Sequence, residues 1–288
     1  IHPKHNVIET LWRSVLSFVR VRRALSLAIN RNTINKALYF KLGKPGAMTV
    51  LEQSPFFDPE LRKAWAGFDP EMANRLLDEA GLTERGRNGI RKLPDGRPME
   101  LVIETAGERQ EVENALQIIT DDWRDVGVKL VMRPLDRDIL RNRVFAGTTM
   151  ASVWFGWDNG LPQPYTSPAY LAPTDQAFLS WPKWGQFHQT RGIAGEAPDM
   201  PAAQRLMELA QEWDRAATDE ERSAVWAEML KIHADQVFAI GILAGAPQPV
   251  VVNKTLRNVP EKGIWAWDPG AHFGIHRPDE FYFEGGHG

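Results

Sequence analysis

Apolar and polar positions change period along this chain, and the change is clearest over residues 98–158. Residues 99–105 (Met-Glu-Leu-Val-Ile-Glu-Thr) are short, β-branched and bounded by turn residues, which predicts a strand. Val112, Leu116, Ile119, Trp123 and Val126 then recur at steps of three and four, which places them on one helical face. Gly127 follows, where a left-handed helix cap favours a residue without Cβ. Residues 128–133 alternate as a strand and stop at Pro134. A short helix over 137–146 leads through Gly147 into 151–157, a nearly all-apolar run that predicts a strand buried on both faces.

Strand–helix–strand at this spacing favours parallel pairing through a right-handed crossover. Ligands of such sheets lie beyond the carboxyl ends of the strands. That end carries Trp154, Trp157, Asp158 and Asn159, followed by a Pro-rich loop holding Tyr165. Trp154 and Phe155 suit a core as well as a ligand wall, whereas Trp157 and Asp158, at the strand-to-loop junction, favour a ligand surface. The competing use of Asp158 is as a turn former with Asn159 and Gly160.

Elsewhere the pattern predicts mostly helix. Residues 19–40 form two helical pieces, with Asn30 or Asn32 capping the second; Arg20, Arg22 and Arg23 are expected on a solvated face. Residues 47–68 read as loop. Asp69, Pro70 and Gly81 punctuate the next helix, and 83–97 reads as a polar, exposed excursion. Residues 159–200 show little periodicity, and their aromatics fit a cleft lining or a loop anchor equally well. A helix over 201–217 follows, then a second that a capping box of Thr218 and Glu221 opens and that buries Val225, Met229 and Ile232; the short join predicts an antiparallel hairpin. Residues 237–243 and 249–253 read as strands, and the aromatic tail has no clear period.

Composition narrows the chemistry. The chain has 288 residues, net charge -3, no cysteine and eleven tryptophans. Lack of cysteine excludes disulfides and thiolate sites. The charge and the absence of basic runs argue against nucleic acid and against an anionic membrane as partners. No stretch approaches the ~20 apolar residues that span a bilayer, so no membrane insertion is expected. With Ile1 at its start and no signal peptide, the chain reads as a processed or truncated product. His2 and His5 have no carboxylate beside them and are not expected to hold a metal; Asp121 and Asp122 read as solvated. No phosphate-cradling loop, nucleophile elbow or zinc-protease motif is present, and no second carboxylate stands out opposite Asp158 for glycoside hydrolysis. No cofactor is implied.

Residues 21–31 (Val-Arg-Arg-Ala-Leu-Ser-Leu-Ala-Ile-Asn-Arg), the helix from Phe68-Asp69-Pro70-Glu71 to Gly81-Leu82, the strand–helix–strand core and the closing Leu256-Arg257-Asn258-Val259 together resemble the extracytoplasmic solute-binding proteins, family 5. These are the oligopeptide- and dipeptide-binding components of ATP-binding-cassette importers. The resemblance implies an α/β fold: one lobe of a type II periplasmic-binding-protein fold, with a mixed sheet, a βαβ crossover and flanking helices. It implies that 1–244 are the carboxyl-terminal solute-binding lobe and that 245–288 return to an absent amino-terminal lobe. It further implies a periplasmic, non-enzymatic protein with a short peptide or small solute as ligand and a membrane permease as partner. Several members pair an aspartate shortly after Gly-Trp with the ligand's α-amino group. Asp158, after Gly156-Trp157, is the matching place, although here the aspartate follows the tryptophan directly. The ligand-binding residues expected are therefore Trp154, Trp157, Asp158, Asn159 and Tyr165. The competing readings are a carbohydrate-active enzyme or sugar-binding module with a Trp-rich cleft, and a regulatory receptor that does not transport.

Overall fold

A computed structural model describes residues 1–157, 160–247, 249–264 and 277–285. In chain order the first half runs β1 (His2–Pro3), α1 (Thr10–Ser17), α2 (Val19–Leu27), α3 (Arg31–Tyr39), β2 (Lys44–Pro45), α4 (Pro59–Lys63), α5 (Pro70–Glu79), β3 (Glu100–Thr105), α6 (Gln110–Asp125) and β4 (Lys129–Pro134). The second half runs α7 (Arg137–Ala146), β5 (Ala151–Ser152), α8 (Pro182–Gln189), α9 (Pro201–Arg215), α10 (Asp219–Gln236), β6 (Leu243–Ala244), β7 (Leu256–Arg257) and β8 (Tyr282–Phe283).

The main sheet is four-stranded and mixed, in the order β1-β5-β3-β4. β3 pairs in parallel with β4 from Glu100 opposite Lys129 to Thr105 opposite Pro134, and in parallel with β5 at Ile103 and Ala151. β1 closes the other edge antiparallel to β5. Leu116, Ile119 and Trp123 of α6 enter one core with Leu101, Ile103 and the apolar stripes of α2 and α5. The Trp123 indole N–H donates to the Leu25 carbonyl at 3.0 Å, so the helix predicted from periodicity is also pinned to α2. A second core, rich in tryptophan, gathers Trp181, Trp184, Trp226 and Phe238 between α8, α9 and α10.

Several expectations are corrected. The strand predicted over 151–157 pairs only at Ala151–Ser152. One more bond, Val153 N–H to the Glu104 carbonyl at 3.1 Å, ends the ladder. β3 stops at Thr105, so residues beyond 153 have no β3 partner and run past the sheet end; Phe155 is 42% exposed. Of 237–243 only the last residue enters a strand, pairing with β2. Residues 249–253 form no strand at all, and Val251 is 99% exposed. Their β-branched composition favours a strand only against a partner edge.

The arginines expected on a solvated face divide. Arg20 is exposed, whereas Arg22 is fully buried. Its Nη1 donates to the Leu16 and Ser17 carbonyls, both at 2.7 Å, and its Nε to the Gln236 carbonyl at 2.8 Å. These carbonyls end α1 and α10, whose terminal partial negative charges explain a buried guanidinium without a direct carboxylate partner. Burial pulls the Arg22 pKa down to about 9, with Arg23 adding to the fall and Asp235 opposing it. The excursion over 83–97 is also anchored. Arg91 is buried and donates to the Val126 carbonyl at 2.8 Å, and Ile90 and Leu93 enter the first core. Asp122 is half-buried and accepts the Asn30 N–H at 2.8 Å. Residues 47–68 contain α4, and 159–200 contain α8, where Trp184 stacks at 6.2 Å on Trp181, the residue just before the helix.

Candidate ligand-binding cleft

The carboxyl end of β3 opens into a small cleft. Its walls are the turn at 105–109 entering α6, Arg137 at the start of α7, and residues 153–155 running past the sheet. Each wall follows from local sequence. Gly107 turns the chain at φ +66°, which glycine adopts at no steric cost, and its N–H meets the Thr105 hydroxyl at 3.3 Å. Asp136 caps α7 by accepting the Asp138 and Ile139 N–H groups, which places Arg137 in the first turn. His2, on β1, donates from Nε2 to the Phe155 carbonyl at 3.3 Å and so tethers the third wall.

Polar groups of the cleft are paired across it. Arg137 grips Glu108 with two nitrogens, Nε at 2.8 Å and Nη2, and holds that carboxyl below its usual range. Arg109 lies 3.6 Å from Glu111. Both guanidiniums also stack: Arg137 is 5.2 Å from the Trp154 ring centre and Arg109 is 4.5 Å from that of Phe155. The two rings meet edge to face, 5.8 Å apart at 73°. Behind the cleft, the buried Glu104 carboxylate accepts from Arg143, Arg133 and Thr149, which fixes the end of β3 against α7.

The residues expected to bind ligand are not all brought together. Trp154 lines the cleft. Trp157 turns into the second core, 5.4 Å from His233 and 6.2 Å from Tyr170. Tyr165 is 70% exposed, between Pro164 and Thr166, whose carbonyls are held by Trp213 and Trp226. Asp158 and Asn159 lie outside the described residues. Sequence reasoning missed Glu108, Arg109 and Arg137. The available signal was the Ala106-Gly107 turn after the first core strand, since a strand-to-helix turn at a carboxyl end is itself a ligand position. Among the described residues, no group of three or more His, Cys, Asp or Glu could hold a metal ion.

A larger surface hollow of about 500 Å³ lies at the start of α3, around Asn30, Asn32 and Phe68. It neighbours Asp122, near the far end of α6 from the strand-end turn. The cleft at the strand ends encloses only about 80 Å³.

A mixed α/β lobe with an aromatic and ion-paired cleft at its strand ends fits a solute-binding protein of the type II periplasmic fold. Comparison with known proteins agrees: residues 4–178 match the bacterial extracellular solute-binding proteins, family 5 (middle region), and the chain belongs to that family. It is similar to the structure of the oligopeptide-binding protein OppA, with 30% identity, a TM-score of 0.77, and coverage of 98% of this chain and 46% of that one. It is 23% identical over 251 residues to a periplasmic alpha-galactoside-binding protein of Rhizobium meliloti, covering 83% of this chain and 34% of that protein. It is 26% identical over 171 residues to a dipeptide-binding protein of Escherichia coli, covering 59% and 30%. The chain thus spans about a third of these curated relatives and under half of the solved OppA chain. No helix among the described residues is long and apolar enough to cross a membrane.

Proposed function

We propose that this chain is the carboxyl-terminal lobe of the solute receptor of an ATP-binding-cassette importer. It works in the periplasm, takes oligopeptides or related small solutes, and delivers them to a membrane permease. Residues 1–244 form the lobe, and 245–288 return toward an amino-terminal lobe. The observation that carries this reading is the size and place of the cleft. Enclosed ligand sites run to about 300–1,000 Å³, whereas this one, at the strand carboxyl ends, holds about 80 Å³. That is one wall of a clamp whose other wall belongs to a second lobe, and closure of two lobes about a solute is a known hinge mechanism. Relatives named for binding dipeptides and alpha-galactosides support solute capture, and their names describe binding proteins rather than enzymes.

Trp154 is the aromatic wall of this site, and the Asp158 and Asn159 side chains are the polar ligand contacts to be tested. Mass spectrometry of small molecules released after native purification tests the function: a stoichiometric solute is expected, and catalytic turnover of a glycan would overturn it. Calorimetric titration of that solute against Asp158→Ala tests the aspartate. A direct contact predicts a loss of roughly 1.5–3 kcal/mol in binding with little change in melting temperature. Unchanged affinity with lowered melting temperature assigns Asp158 to the turn instead.

A further inference from the structure

We propose that His233 is a positioning residue of the cleft wall: from α10 it holds Trp157, and with it the segment that carries Trp154, and it releases that segment when its ring takes a proton. The consequence for solute binding rests on the receptor reading; the hold on the wall does not.

The wall is tied down at few points. Past the Val153 N–H bond to Glu104, the backbone of 154–157 makes one hydrogen bond among the described residues, between the Phe155 carbonyl and His2 Nε2. The chain is anchored next at Gly160, whose carbonyl accepts the Leu51 N–H at 2.8 Å. Between these ties, the Trp154 and Phe155 rings lie against guanidiniums of the open cleft. Of residues 154–157 only Trp157 packs on the second core. There it meets the His233 ring edge to face, 5.4 Å apart at 85°. Trp157 is three residues from Trp154, so its seating fixes how the wall leaves the sheet.

His233 is itself held in one orientation. Its Nε2–H donates to the Leu171 carbonyl at 2.7 Å, which leaves Nδ1 as the nitrogen that takes a proton. Trp181 and Phe238 border the ring at 5.8 and 5.5 Å, so with Trp157 it has aromatic neighbours on three sides. The ionisable groups around it offer no counter-charge. His5 lies beside Trp181 and Phe238, Arg22 of α2 lies over Phe238, and Tyr170 lies across Trp157. The carboxylates of the neighbouring helices are engaged by other cations: Asp235 by Arg23, Glu212 and Glu228 by Arg205, and Glu60 of α4 by Lys63. Burial lowers the His233 pKa to about 4. When Trp157 leaves, water reaches the ring and its pKa returns toward the ordinary value near 6.5. Below that value the released form takes up a proton and the held form does not, so acid favours release.

Fluorine NMR of the 288-residue chain labelled with 5-fluorotryptophan tests this without any ligand. Single Trp→Phe variants assign the resonances of Trp12, Trp154 and Trp157. From pH 7 to pH 5 the ratio of released to held wall should rise about twentyfold, as a pKa of about 4 when held and 6.5 when released requires. The Trp154 and Trp157 resonances report it, while Trp12, in the first core, stays in place. His233→Gln, whose amide can still donate to Leu171 but does not titrate, should keep both resonances in their held positions down to pH 5. Unmoved resonances in the parent, the same change in His233→Gln, or a simultaneous change at Trp12 overturns the proposal. If His233→Gln does not fold, the His233 ring is titrated by NMR in the parent and in Trp157→Ala. A pKa that rises from about 4 toward 6.5 in the variant supports the proposal, and an unchanged value overturns it. The receptor reading stands or falls separately, on the solute released after native purification.

Discussion

Arg143, near the end of α7, holds Glu104 of β3 through Nε at 3.0 Å and Nη2 at 2.7 Å. The carboxylate is 1% exposed and also accepts from Thr149 at 2.7 Å. It is the polar bolt between the sheet end and the cleft wall. Removing one member of a buried pair strands the other, at about 3–5 kcal/mol. Because Arg143 is one-third exposed and keeps access to water, Glu104→Gln should cost about 3 kcal/mol, the lower end of that range. Urea unfolding of the two proteins measures it; a loss within experimental error would show that the bolt carries no stability.

Arg22 joins two helix ends that the sequence leaves far apart. Replacing it by Met keeps much of the apolar stem but leaves the Leu16 and Gln236 carbonyls without this donor. A buried polar group left unsatisfied costs about 1–3 kcal/mol, so Arg22→Met should destabilise by about 3 kcal/mol in total. Arg20→Met, whose side chain is exposed beside Glu79, should lie within about 0.5 kcal/mol of the parent. Thermal unfolding of both variants makes the comparison.

Three histidines predict acid sensitivity. His2, His5 and His233 are buried, and burial is the largest cause lowering each pKa, that of His233 to about 4. His5 stacks on Trp184 at 6.0 Å, and its ring nitrogens make no well-aligned hydrogen bond. Above the ordinary histidine value near 6.5 neither folded nor unfolded chain is protonated at these rings. As pH falls below it the unfolded chain takes up protons first, so stability drops. For His233 that loss is complete below about 4. Each histidine contributes up to about 1.4 kcal/mol per pH unit in its window. The melting temperature should therefore fall between pH 6.5 and 5, before the carboxylates titrate. His5→Phe should flatten the fall, and an unchanged slope would remove His5 from the effect.

Two tryptophans three residues apart should fail differently. Trp157 packs against His233 and Tyr170 in the second core, and Trp154 lines the cleft. Trp157→Ala should cost about 2–3 kcal/mol of stability, less than a fully buried tryptophan because it is half-buried. Trp154→Ala should cost less stability and more ligand binding. Thermal unfolding beside calorimetric titration separates them. Equal effects on both quantities would place the two rings in one site.

Local pattern was enough to determine several elements. The 3.6-residue stripe of α6, the Asp69-Pro70 start of α5, the Thr218–Glu221 capping box and the parallel pairing of 99–105 with 128–133 all appear as read. Each depends on neighbours within about one turn or on a short crossover, so the information is in the sequence window. The family is legible for the same reason, since its landmarks are helix and strand signatures in order. Tertiary structure alone decided the rest. The run at 151–157 stops as a strand after Ser152 because β3 ends, and strand length belongs to the partner as much as to the run. Arg22 is buried because α1 and α10 both end against it, separated by more than two hundred residues. Trp154 and Trp157 are alike in sequence setting, yet one meets the cleft and the other His233, because chain direction beyond a sheet end is set by distant packing. Glu108, Arg109 and Arg137 became a site only when two strand-to-helix turns met at one sheet end, a convergence that no local period records.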